Sequence, residues 1–516
     1  MYPLPLSRRS LLGAGALGGS VVVATAATAT EAEPTSDTSK IDWTGPREAP
    51  SDPAGPTGRL CTWLADLHLD DVPGAVRERA KDVLLDGVGC AIVGAQLPWS
   101  RTAVEASLKF EGRGDRTIIG WGRKAPAMSA ALLNGTFIQG FELDDVHPKG
   151  PLHCGSLVIP ALLACSEERG PTSGAQVLLG AVAGFEVGPR VGNALHGDQL
   201  LSRGWHSGAV IGAHASAAAT GMLLNLDASR FEDAFGMAGA QSAGLMAAQF
   251  EAMCKRMHHG FASRNGMFSA LMAAGGYTGI KSVFERKYGG YLAMFGEGHD
   301  PLPEEVASGL GVRWETPGIL LKPYAAMGAL HGAIEGTLTL MAERPLSAPA
   351  IKSIDIYVSD AAYQHGWWKL ERPITPVGAQ MNFAYAVAAT ILDGESTVRQ
   401  FSPNRINRDD VWGLIPKITA HNDKGFNEGG KATEFSTRLR VTMNDRSTRE
   451  ILISTPKTFS HALTREDIIH KFNRLTDGLI TKDRQQRIIE TVLTLDKVKD
   501  VSVIGNLLGP PVGSAF

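Results

Sequence analysis

The sequence predicts a mainly α protein, a large all-helical domain formed by both chain ends with a smaller α+β domain in the C-terminal third. Three observations carry this. Apolar residues recur at helical spacing from about residue 71, and no strand-like alternation interrupts them before about residue 310. Small residues crowd those stretches, as in "AHASAAATG" and "LMAAGG", which suits helices packed backbone-close. Beyond about residue 317 alternating stretches appear between helices, and beyond about 462 the pattern is helical again.

Taken in order, the chain opens with twin arginines, Arg8 and Arg9, before a small-residue apolar run from Leu11 to Ala29. The triplets Ala24-Thr25-Ala26 and Ala27-Thr28-Ala29 supply cleavage sites, the layout of a twin-arginine export signal. That predicts a periplasmic, cell-envelope or extracellular protein. An uncleaved membrane anchor or a plain cytoplasmic extension are the alternatives. Glu31 to about Gly58, rich in Pro, Ser, Thr and Asp, reads as a disordered linker, so signal and linker take residues 1–58.

The helical domain is expected over 59–316. Asp71 caps, Pro73 suits a first turn, and Val76, Ala80, Val83, Leu84 and Val88 share a face. Further helices are expected through "MSAALLNGTFIQGFEL", "SLVIPALLACSEE", "GAQVLLGAVAGFEVGPRVGNAL", "GAVIGAHASAAATGMLLNL", "RFEDAFGMAGAQSAGLM" and "GMFSALMAAGG". The α+β domain is expected over 317–462. "IKSIDIYVS" sets Ile354, Ile356 and Val358 on one strand face, and "TRLRVTMNDRSTREILIS" reads as two strands turning at Asn444-Asp445. "AQMNFAYAVAATILDG" and "RDDVWGLIPKITA" read as helices between them. Residues 463–516 are helical and most simply return to the first domain.

Composition excludes several function classes. A net charge of −3 leaves no basic field to draw nucleic acid. The five cysteines are scattered without a CxxC pair, so neither a zinc ribbon nor a dithiol redox motif is expected. No GxSxG elbow and no GxxxxGK[ST] phosphate loop occur.

The chemistry-bearing side chains gather at helix starts. His153 precedes "GSLVIPALLA", His206 lies in "SRGWHSGAV", and Lys255, Arg256, His258, His259 and Arg264 lie in "CKRMHHGFASRNG" before a helix. A helix N-terminus offers free N–H donors and a partial positive charge. Cationic side chains at three such places point to a pocket for a ligand with several negative charges; singly, each is as well explained by a core His or a solvated Lys. In "ELDDVHPKGPLHCG" the residues Asp144, Asp145, His147 and His153 are all metal-ligand types. The spacing argues against a metal, because no i, i+4 His pair sits on a helix and Pro148, Gly150 and Pro151 make the segment a turn. An imidazole flanked by carboxylates suits proton transfer instead. The residues thus read as a cofactor-independent enzyme for an anionic small molecule, or an exported binder of one.

"ELDDVHPKGPLH-CGSLVIPALLA", "GWHSGAVIGAHASAAATGMLLNLD", "GLMAAQFEAMCKRMHHGFASRNG" and "ILLKPYAAMGALHG" resemble the 2-methylcitrate dehydratase superfamily (MmgE/PrpD type). "DGVGCAIVGAQLPWS", "KYGGYLAMF" and "HGWWKLERPI" are most similar to its cis-aconitate decarboxylase branch. The resemblance runs from about Leu60 to the C-terminus. It implies an inserted lid for the α+β part, a homodimer, no metal or organic cofactor, and a site between the two parts. It also implies that His153 moves a proton, that Lys255, Lys322 and His206 grip substrate carboxylates, and that Glu142, Asp144 and Asp145 form an acidic wall. Asp144 is grouped with His153, Lys255 and His206 as catalytic; Glu142, Asp145, Lys322, His258 and Arg264 are the substrate-binding set. The activity implied is removal of CO₂ from cis-aconitate to give itaconate. A hydro-lyase on 2-methylcitrate, an isomerase or epimerase of a related dicarboxylate, and an inactive exported polycarboxylate binder are the alternatives. Two positions depart from the family pattern: Glu142 stands where dehydratase-type relatives show Asp, and Val146 where relatives carry Thr or Tyr.

Overall fold

Helices dominate the computed structural model, which describes residues 42–430 and 433–516. The mainly α expectation holds. The body is built from Gly74–Gly94, Ala127–Ile138, Cys154–Arg169, Gly174–Ala194, Ser207–Leu223, Ala228–Ala240 and Cys254–Ala274. At its centre Cys254–Ala274 packs against Ser207–Leu223 and Ala127–Ile138. Small residues make this possible. A Cβ on Gly260 would stand 2.1 Å from the Leu132 carbonyl oxygen, and one on Gly266 would stand 2.2 Å from that of Ala213. The backbones touch where side chains would otherwise intervene.

The end of the chain covers the first long helix. Arg465–Thr476 and Lys482–Leu493 pack on Gly74–Gly94 and bury Ile468, Phe472, Ile488, Ile489 and Val492. Thr464 opens the first of them with a capping box closed by Asp467, and Thr481 caps the second.

Between these parts lies a four-stranded sheet. Ile351–Val358 runs parallel to Ile418–Asn422 on one side and antiparallel to Thr437–Met443 on the other, with Thr448–Ile453 at the edge. Ile351, Ile354, Ile356 and Val358 are buried, as the alternation demands. Helices His331–Glu343 and Phe383–Asp393 pack on the sheet and on each other.

Several local expectations are revised. The twin-arginine segment and most of the expected linker lie outside the described residues. Residues 42–58, expected as disordered linker, are held instead. Asp42 pairs with Arg169 at 2.5 Å, Trp43 lies under Arg230 at 4.1 Å, and Ser51 donates to Glu232 at 2.6 Å. A short hairpin, Arg116–Ile118 with Arg123–Ala125, interrupts the helices; three-residue strands are too brief to show alternation. "RDDVWGLIPKITA" is helical only over Asp409–Leu414, because Pro416 ends the helical run and Ile418–Asn422 joins the sheet. The helix expected through "RFEDAFGMAGAQSAGLM" stops at Ala240. "CKRMHHG" is not a loop before a helix but the first two turns of Cys254–Ala274, since Gly260 there serves close packing rather than chain reversal.

Gly260→Ala is expected to destabilise by about 1–3 kcal/mol through overpacking against backbone. A lower thermal unfolding midpoint checks this. Gly413→Ala, with nothing within 4 Å of the added carbon, should leave the midpoint unchanged or slightly raised.

Candidate active site

The acidic stretch leaves Ala127–Ile138 through a single 3₁₀ turn, Gln139–Phe141, and enters Glu142 in the left-handed region with φ 55° and ψ 31°. Positive φ strains a non-glycine residue, and tertiary bonds must hold it there. They converge on its carboxylate. Lys255 Nζ, Arg256 Nη1 at 2.8 Å and Gln139 Nε2 at 2.8 Å donate to Oε1, and Lys322 Nζ donates to Oε2 at 3.0 Å. Burial is the largest single influence and opposes ionisation. Lys255, Lys322 and Arg256 together outweigh it and hold the Glu142 carboxyl well below the usual range.

Lys322 arrives by a two-residue ladder. Asp145 and Val146 pair antiparallel with Leu321 and Leu320, which sets the next residue beside Glu142. The chain then closes a turn, His147 N–H to the Leu152 carbonyl at 2.8 Å. His147 faces away from the other acids of the stretch, with Nε2 3.4 Å from Glu315, and its Nδ1 accepts from Gly150 N–H at 3.1 Å. Asp145 accepts the N–H groups of Cys154 at 2.6 Å and Gly155 at 2.7 Å, at the start of Cys154–Arg169. Burial and neighbouring Asp144 push its carboxyl up to about 8, against the pull of those two donors. Asp145 is therefore committed to the helix end. Among the described residues no group of three or more His, Cys, Asp or Glu is placed to hold a metal ion.

Two imidazoles occupy N-cap positions, His153 of Cys154–Arg169 and His206 of Ser207–Leu223. Asp144 Oδ1 lies 3.1 Å from His153 Nδ1. A carboxylate there accepts, so Nδ1 carries the hydrogen and Nε2 is left to exchange a proton. His206 packs edge-on to His258, ring centroids 4.5 Å apart. Burial, then Lys255, His258 and His153, hold His206 well below the usual imidazole range. Burial and Lys255 bring His258 down to about 4, so both rings are neutral at pH 7. Burial likewise draws Lys255 down to about 8 although Glu142 pulls it up.

Glu142, His153, His206, Lys255 and Lys322 line one cavity of about 200 Å³. That is below the roughly 300–1,000 Å³ usual for drug-sized ligands, so the space suits a small molecule. Asp144, Asp145 and His258 are buried behind its wall. Arg264 is not brought there. It falls nine residues after Lys255, about two and a half turns on, so it emerges on the other side of the helix. Its guanidinium bonds Asn265 at 3.0 Å and lies over the Phe261 ring. Two larger clefts of about 590 and 640 Å³ lie elsewhere; Arg116 at the first pairs with Glu168, and Arg474 at the second with Glu395.

Sequence reasoning missed the wall contributed by the sheet-bearing part. Ser359 and His365 reach the cavity from either end of a seven-residue helix, Asp360–Gly366, and its cap. Phe435 and Phe459 join them, rings stacked with centroids 4.1 Å apart. "YQHGWW" was the available signal, but its histidine has no neighbour in sequence that marks a site. Arg256, the third cation on Glu142, was visible only as part of a basic run.

Residues 58–302 match the family model described as the MmgE/PrpD N-terminal domain, and residues 324–497 that of the MmgE/PrpD C-terminal domain. The chain is 43% identical over 462 residues to a cis-aconitate decarboxylase-like protein, oryM, of Aspergillus oryzae, spanning 86% of this chain and 95% of that one. It is 41% identical over 477 residues to cis-aconitate decarboxylase of Aspergillus terreus, 89% and 97% of the two chains. With cis-aconitate decarboxylase of Homo sapiens it shares 26% over 480 residues, 88% and 95% of the two. These relatives correct the expectation of export: the matching Aspergillus proteins are eukaryotic and give a twin-arginine signal no support.

Replacing Glu142 leaves buried cations without their shared anion. Glu142→Gln is expected to cost about 3–5 kcal/mol, the range for breaking a buried ion pair from one side. Denaturant unfolding of variant and parent at pH 7 checks it.

Proposed function

The chain belongs to the MmgE/PrpD family, and we propose that it is a carboxy-lyase that converts cis-aconitate to itaconate and CO₂, working as a homodimer without metal or organic cofactor. One observation carries the reading: Lys255, Lys322, His153 and His206 meet at a single small cavity around Glu142. Three cations share one carboxylate there, which leaves an excess of positive charge for a polyanion. The relative named cis-aconitate decarboxylase at 41% identity, with the decarboxylase-like protein at 43%, supports the substrate. The dimer and the absence of a cofactor rest on the family resemblance.

The chemistry asks for these groups. Breaking the bond from the methylene carbon to its carboxylate releases CO₂ and leaves the electron pair on that carbon. The pair delocalises through the neighbouring double bond to the carbon bearing the far carboxylate. One proton delivered there gives itaconate, with the double bond moved to the terminal carbon. Lys255, Lys322 and neutral His206 hold the carboxylates and stabilise the developing charge. His153, its Nδ1–H bonded to Asp144, takes a proton from water onto Nε2 and delivers it from there. Val146 leaves no hydroxyl at its place on the wall, so orientation falls to the cations.

Purified protein incubated with cis-aconitate should release CO₂ and form itaconate by proton NMR. His153→Ala should lower kcat by at least about 10²-fold while the fold persists by circular dichroism. Turnover of 2-methylcitrate with no itaconate from cis-aconitate would replace this reading with a hydro-lyase.

Lys255 sets a pH limit. It is charged below its pKa of about 8 and loses its proton as pH rises through that value, so kcat/KM should fall on the alkaline side near pH 8. Glu142 pulls that pKa up, so Glu142→Gln should move the limb to lower pH. A limb that stays in place would remove Lys255 from the binding step.

A further inference from the structure

We propose that His259 is a positioning residue that sets the placement of His153 and His206; this deepens the decarboxylase reading and rests on it. His259 lies one turn after Lys255 on Cys254–Ala274 and is fully buried. Its ring centroid is 5.0 Å from that of His153 and 5.2 Å from that of His206, so it stands behind both. Its Nδ1 lies 2.7 Å from Ser156 Oγ, and that hydroxyl donates to the His153 carbonyl at 2.9 Å. A serine hydroxyl has a single proton. Given to the carbonyl, it leaves Oγ as acceptor, so His259 Nδ1 carries a hydrogen and Nε2 is a bare lone pair.

Nε2 is buried without a hydrogen-bond partner. It is seated against Gly208, where an added Cβ would come within 1.9 Å of it. Gly208 is the second residue of the helix that His206 caps. The ring is thus keyed into the joint between two helix starts, touching the first through Ser156 and the second through a glycine gap. Burial foremost, then His153, His206 and Lys255, keep it neutral, so it adds no charge between the two imidazoles it separates. An apolar side chain would fill the same joint without an idle nitrogen. The bond to Ser156 is what distinguishes the imidazole.

The test uses the full chain with itaconate formation, kcat and KM, and thermal unfolding. His259→Phe should lower kcat about 10–100-fold with KM little changed, the scale of a misplacement near 1 Å. Ser156→Ala should give a similar loss, and the double variant no further loss, because both remove one link. His259→Asn, which keeps a donor at the δ position, should recover most of kcat. The inference is overturned if the parent turns over and His259→Phe and Ser156→Ala match its kcat. It is equally overturned if the two losses add, or if Asn fails to rescue. A parent that forms no itaconate overturns the decarboxylase reading and this inference with it.

Discussion

Lys255 and Arg256 on one helix and Lys322, 180 residues downstream of Glu142, all donate to a single carboxylate in a place with almost no solvent. Everything else near the cavity is arranged so that this can happen. The 3₁₀ turn at Gln139–Phe141 delivers Glu142 in a left-handed conformation, and the Asp145–Leu321 ladder delivers Lys322. The helix Cys254–Ala274 is pressed close enough by Gly260 for Lys255 to reach. Buried charges of one sign are expensive to keep. Here three cations face one anion, and the imbalance is a standing stress that a polyanionic ligand would relieve.

The helix starts play a second part. His153 and His206 are N-caps, so their backbones are anchored by the helices that follow while their side chains face the cavity. Asp144 and Asp145 are adjacent in sequence but divide the work. Asp144, just before the short strand Asp145–Val146, bonds an imidazole, and Asp145, its first residue, bonds a helix end. The sheet-bearing part supplies the remaining wall through Ser359, His365, Phe435 and Phe459.

Much of the fold was legible in sequence. Long helices with small-residue faces and the strands Ile351–Val358, Thr437–Met443 and Thr448–Ile453 all carry periodic signals. What escaped was either too short to show a period, as Arg116–Ile118, or decided by a partner strand, as Ile418–Asn422. Of the candidate site residues, the cavity brings together Glu142, His153, His206, Lys255 and Lys322, while Arg264 sits on the opposite helix face although it shares their basic run. A run of like residues reports composition, and helical phase decides which of them meet.

By itself, then, the sequence determined which chemistry was available: imidazoles and lysines at helix starts, a carboxylate-rich turn, and no nucleophile elbow or phosphate loop. It also determined the helical texture, because hydrophobic periodicity is a local property. Only the tertiary structure decided that three cations share Glu142, that His147 turns to Glu315 instead of joining the acids, and that His259 stands beside both cavity imidazoles, His153 and His206. Those are contacts between segments remote in the chain. Their energy depends on distance and desolvation, which exist only once the helices have packed.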